Sequence, residues 1–133
     1  MSQENVEIVK RSLEAFTQRD VATMRELNDA DLELDWSASV GVEARVYRGI
    51  DDALAFYRGY FEAFESIVFD ELDFIDAGES VVVVPNKSRS RGRDGIEVSA
   101  RSTFVFTIHG RKIVRLRLYQ ETEEALKAVG LAE

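Results

Sequence analysis

Leu32-Glu33-Leu34-Asp35-Trp36 alternates apolar and acidic residues and ends with a carboxylate beside the only tryptophan. Alternation with period two marks a half-buried β-strand, here predicted over 31–37. Upstream the period is helical. Val6, Val9, Leu13 and Phe16 recur on one face, which predicts a helix over 3–18. Asp20 caps a second, short helix that turns Val21, Met24 and Leu27 inward. Two helices so close in sequence must pack as a hairpin. Downstream, residues 38–48 read as irregular, punctuated by Gly41 and Gly49, and Asp51 caps a third helix. Its apolar positions, among them Ala53, Leu54, Phe56, Tyr57 and Tyr60, cover more than half the circumference. So wide a face calls for burial on two sides, against a sheet and against a cavity.

From residue 67 the period is two throughout. Strands are predicted over 67–76, 80–91, 95–108 and 112–121. The turns between them are Asp76-Ala77-Gly78-Glu79, Gly92-Arg93-Asp94-Gly95 and His109-Gly110-Arg111. Thr122 caps a last short helix that Gly130 stops. The order α-α-β-α-β-β-β-β-α predicts one α+β domain over 1–133, with helices on one face of a curved antiparallel sheet. Pro85 lies inside a long strand and points to an edge or a bulge there.

Composition excludes several functions. A net charge of −8 argues against nucleic acid and anionic membrane, since both need a basic footprint. With no cysteine there is no disulfide, thiol catalysis or zinc–thiolate site. The single histidine, His109, sits in a predicted turn and cannot build a His cluster, so no metal and no cofactor are expected. The opening Met-Ser-Gln-Glu-Asn has neither a basic nor an apolar leader segment. No apolar run is long enough to span a bilayer, and a cytoplasmic protein is expected.

Several segments together resemble one superfamily: Val9 to Phe16 with Arg19-Asp20, Leu32 to Trp36, Tyr47-Arg48-Gly49 before Asp51, and Gly110-Arg111-Lys112-Ile113 through Tyr119. They are similar to the cone-shaped domains of nuclear transport factor 2, ketosteroid isomerase and the SnoaL-like polyketide cyclases. The SnoaL-like group is the nearest, with an ending like Glu124-Ala125-Leu126 to Gly130-Leu131. The resemblance implies a curved antiparallel sheet wrapped around helices, an interior pocket and a homodimer. It does not imply one activity, because the superfamily holds isomerases, cyclases, dehydratases, hydrolases and binders.

Aligned with ketosteroid isomerase, Asp35 falls at the aspartate that serves as general base. That enzyme also uses a Tyr and a protonated Asp as oxyanion donors. The corresponding positions here are Ser12 and, within a residue, Thr103. Losing one such donor typically costs roughly 10²–10³ in rate, so steroid isomerisation is not expected.

The resemblance makes Asp35 the candidate catalytic base, its pKa raised against Trp36. Trp36, Phe56 and Tyr60 are candidates for an apolar substrate-binding wall. In strand 95–108 one face carries Phe104 and Phe106, the other Arg101 and Thr103. Period two alone does not choose which face lines a cavity. If the mixed face does, Arg101 and Thr103 polarise a substrate oxygen and the apolar face meets a second copy. The basic stripe Lys87, Arg89, Arg91 and Arg93 fits an exposed strand guarded by charge, or an anion-binding lip. Three functions remain open. One is a cofactor-free isomerase, cyclase or dehydratase acting on a small hydrophobic carbonyl compound. The others are a non-catalytic small-molecule binder and a dimerisation module.

Overall fold

The computed structural model describes residues 2–41 and 43–131, the side chain of Ser2 excepted. Helices α1 (Ser2–Gln18) and α2 (Val21–Leu27) lead into β1 (Asn28–Asp35). A short β2 (Val46–Arg48) and α3 (Ile50–Ala63) follow. Five strands then run β3 (Phe64–Leu72), β4 (Ile75–Asp76), β5 (Val81–Gly92), β6 (Glu97–His109) and β7 (Lys112–Tyr119), before α4 (Thr122–Ala128). The strands form one curved, unclosed sheet in the order β2-β1-β7-β6-β5-β3, with β4 on β5. The α+β class is as expected, with two corrections. First, β1 and β7 pair in parallel, whereas the other pairs are antiparallel. Second, α4 lies on the opposite face of the sheet from the other helices, where Ala125 packs on Val83 and Val105.

Local chemistry sets the helix ends. The Asp20 carboxylate accepts from Thr23 N at 3.1 Å and caps α2 as expected. Helix α1 closes with Arg19 in the left-handed region (φ 59°), where Arg19 N reaches Phe16 O and Asp20 N reaches Ala15 O. The Arg19 guanidinium then donates to the carbonyls of Phe61 in the last turn of α3 and of Phe64 and Glu65 beyond it. Gly130 (φ 81°) stops α4, with Leu131 N on Leu126 O and Gly130 N on Lys127 O.

Two expected caps are different. Asp51 lies inside α3 and pairs with Arg25 at 2.8 Å, and the N-cap is Gly49. Thr122 is the first residue of α4 and makes no cap bond. Its hydroxyl meets Thr103 at 2.6 Å.

Gly49 holds φ 87° and ψ 151°, a region that only glycine occupies freely. Its N–H donates to Leu32 O at 2.7 Å, fixing the start of α3 to β1. A Cβ there would come no closer than 3.7 Å to Ala30 O, so backbone strain and not crowding is the obstacle. Gly49→Ala should therefore cost about 1–3 kcal/mol. A urea midpoint equal to that of the wild type would refute this.

Pro85 occupies an interior strand. Leu72 is paired to Asn86 and Ile75 to Val83, so Pro85 faces the break between β3 and β4. Its carbonyl accepts from Asp73 N, and its missing N–H falls where no ladder partner is needed.

Candidate functional site

The inner face of the sheet follows from the alternation. Leu32, Leu34 and Trp36 of the β1 run point into the main core, as do Val82 and Val84 of β5 and Phe104 and Phe106 of β6. Helices α1, α2 and α3 fill the concave side. Ala53 and Leu54 of α3 are fully buried, while Phe56, Tyr57 and Tyr60 line a space that the helices leave open. The double burial expected of α3 is thus present.

The space is a cavity of about 240 Å³. Its wall is aromatic. Trp36 sits 5.7 Å from both Phe56 and Phe104, and Phe56 meets Tyr60 edge-on at 5.2 Å. Phe16 approaches Tyr57 at 5.3 Å from the other side. Such contacts fix the rings and leave flat apolar surface facing inward. Polar side chains interrupt the apolar wall, among them Ser12, Asn28 and Tyr57, and toward β5 and β6 Ser88, Ser90 and Ser102. Burial pushes the Tyr57 phenol well above its ordinary pKa. Burial raises Tyr60 as well, partly opposed by a hydrogen bond from the Trp36 side chain. The wall that Trp36, Phe56 and Tyr60 were expected to form is assembled.

Asp35 is not on it. Strand residues alternate faces, so Asp35 points away from Trp36 to the outer side of the sheet. Only 8% of the residue is exposed, yet its neighbours are charged. Arg117 lies 3.4 Å away and Arg115 3.7 Å, and Ser37 donates to it from both N–H and hydroxyl. Glu33, on the same face, holds Arg48 and Arg115 at 2.8 Å each, though Arg115 Nε is out of line for a hydrogen bond. Burial raises the Asp35 pKa. The Ser37 bonds and the charges of Arg117 and Arg115 outweigh it, and the net shift is downward. The expectation of a base tuned upward against Trp36 is therefore corrected in both position and direction.

Arg101 and Thr103 are corrected too, because the apolar face of β6 is the inner one. Arg101 reaches the cavity only at its rim and pairs with Glu71 at 3.2 Å, with 69% of its side chain exposed. Thr103 is fully buried on the outer face beneath α4. The apolar face that could have met a second copy lines the interior instead. The basic stripe is a cross-strand ladder: Arg89 binds Asp70 at 2.9 Å and approaches Glu97, while Arg93 donates to the carbonyls of Phe61 and Glu62.

Among the described residues no three His, Asp or Glu side chains gather as metal ligands, and no helix is long and apolar enough to cross a membrane. Asn28 and Tyr57 are site residues that sequence reasoning did not select, and Ser12 entered only as the counterpart of an oxyanion donor. Tyr57 had a signal, being part of the over-wide apolar face of α3. Asn28 had none, since its place at the end of α2 becomes informative only when the sheet folds over it.

The fold has counterparts in known proteins. A similar fold occurs in an NTF2-like protein from Burkholderia xenovorans LB400, at 23% identity over 98% of each chain with a TM-score of 0.77. TerC, co-crystallised with polyporic acid, matches at 16% identity over 95% of this chain and 98% of its own, TM-score 0.76. A protein of Xanthomonas campestris pv. campestris, described as a candidate polyketide cyclase, matches at 14% identity over 96% and 98%, TM-score 0.76. At such identities the likeness is one of fold. No curated protein matches the sequence. The SnoaL-like domain model, however, matches residues 9–116. With that match covering both the helical hairpin and the sheet, the chain belongs to the SnoaL-like domain family.

Proposed function

We propose that the protein binds a small, largely aromatic molecule inside the cone. The observation that carries this reading is the cavity of about 240 Å³ walled by Trp36, Phe56, Tyr60 and Phe104. Pockets of this kind, mostly apolar with a few convergent polar groups, are where small molecules bind. The co-crystallisation of TerC with polyporic acid, in a similar fold, adds support.

Trp36 makes the test direct. It is the only tryptophan and lies on the wall, so its fluorescence reports occupancy of this cavity. A thermal-shift screen of enones, polyketide fragments and aromatic acids should yield ligands that also perturb Trp36 emission. A ligand at 100 times its dissociation constant adds about 2.7 kcal/mol to stability. A flat response across the library would sink the proposal and favour a dimerisation module.

A second reading keeps chemistry: a cofactor-free isomerase, cyclase or dehydratase acting on a small hydrophobic carbonyl compound. What favours it is the Tyr57 hydroxyl on the cavity wall, a group able to donate a proton or hydrogen bond to a substrate oxygen. Asp35 lies behind the sheet and would have no part in that step. Turnover that survives Asp35→Asn but not Tyr57→Phe would separate this reading from simple binding.

A further inference from the structure

We infer that the cavity selects neutral aromatic molecules bearing a hydroxyl or carbonyl group, over both anionic ligands and bare hydrocarbons of the same shape. The inference rests on the binding reading above and adds the ligand's charge state and polarity.

Charge is the first observation. No Asp, Glu, Lys or His lines the cavity among the described residues. Arg101, the one charged residue at its rim, is tied to Glu71 by two guanidinium nitrogens, at 3.3 and 3.2 Å. An anion entering the cavity would lose its hydration and find no counter-charge. Transfer of an unpaired anion into such surroundings is strongly unfavourable. Burial already holds the Tyr57 phenol in its neutral form, which is the same preference expressed by a group on the wall.

Polarity is the second observation. Asn28 is nine-tenths buried. Its Nδ2 donates to Met24 O at 2.7 Å, which orients the amide and leaves Oδ1 as a free acceptor on the cavity wall. Ser12 and Tyr57 line the same space, and each carries a hydroxyl. Among its polar groups the wall thus offers the hydroxyls of Tyr57 and Ser12 close to one oriented amide acceptor. A hydrocarbon that fills the cavity strands all three, and each stranded group carries a desolvation penalty. A phenol or an enol can donate to Asn28 and accept from Tyr57 or Ser12. A neutral ketone can accept from the hydroxyls.

The test is a calorimetric titration of the protein into naphthalene, 2-naphthol and 2-naphthoate near pH 7, where only the last is ionised. The expected order is 2-naphthol about 10-fold tighter than naphthalene, with 2-naphthoate weakest. Tyr57→Phe and Ser12→Ala each preserve the packing. Each should narrow the naphthol-to-naphthalene ratio by about 3–10-fold, because naphthol loses a hydrogen bond and naphthalene no longer strands that hydroxyl. Binding of none of the three would overturn the cavity-binding reading itself. Naphthoate binding tightest, or naphthol and naphthalene binding equally, would overturn this inference while leaving the cavity a binding site. Unchanged ratios in both variants would overturn the roles given to Tyr57 and Ser12.

Discussion

Asp35→Asn should leave ligand affinity in the cavity unchanged and destabilise the fold by about 1–3 kcal/mol. The Asp35 side chain is 11% exposed and its carboxylate lies within 3.7 Å of Arg117 and Arg115. Asparagine keeps the shape and can still accept from Ser37. Its amide, however, turns a donor toward two guanidinium groups that are donors only. Breaking a fully buried pair costs about 3–5 kcal/mol. The two arginine side chains are 42% exposed, so solvent screens part of that loss and the smaller range applies. A catalytic base would behave in the opposite way, with stability preserved and activity lost. A variant with wild-type stability would remove the structural role assigned here.

The pH dependence follows with a definite sign. In the folded state the Asp35 pKa lies below its ordinary value of 3.8. Its ionised form therefore stabilises the fold at any pH above the unfolded value, and the contribution is lost as pH falls through the lower, folded value. Wild type and Asp35→Asn should differ by a constant amount from neutral pH down to about 4. Below that their stabilities should converge. Urea titrations of both proteins at pH 7 and at acid pH measure this, and a difference that widens in acid would contradict it.

Why Asp35 could be misplaced from sequence is instructive. Its alternation with Leu34 and Trp36 already separates it from the aromatic wall, since neighbours on a strand face opposite sides. The family alignment pulled it toward a catalytic role, and position in an alignment carries no information about the direction of a side chain. Strand β6 shows the complementary problem. Two faces were legible, Phe104 with Phe106 and Arg101 with Thr103, but the choice between them depends on where α1, α3 and α4 dock. Helix α4 covers Thr103, and that contact joins residues 19 positions apart. Long, strongly periodic elements such as α1, β5 and β6 were readable because their pattern repeats. The three residues of β2 were not, because Val46–Arg48 is a strand only by pairing with Glu33–Asp35. The parallel pairing of β1 with β7 was equally out of reach, as nothing local specifies a partner some eighty residues away.

Phe104→Ala should both destabilise the fold and enlarge the cavity. Phe104 is 7% exposed and its ring touches Trp36 at 5.7 Å, Phe69 at 6.0 Å and Phe106 at 6.3 Å. Removing a buried phenyl ring costs about 3–5 kcal/mol, part transfer and part cavity. One side of this ring already borders open space, so fewer packed contacts are lost and the lower end of that range is expected. The ring's volume joins the cavity, and Trp36 loses one of its two aromatic supports. Ligands longer by one ring should gain affinity relative to those that suit the wild type, and Trp36 emission should shift in the absence of any ligand. Urea denaturation and Trp36 titrations with bicyclic and tricyclic aromatics read both consequences. A loss below about 1 kcal/mol with no change in size preference would mean that Phe104 does not shape the cavity, and that the wall lies elsewhere in the cone.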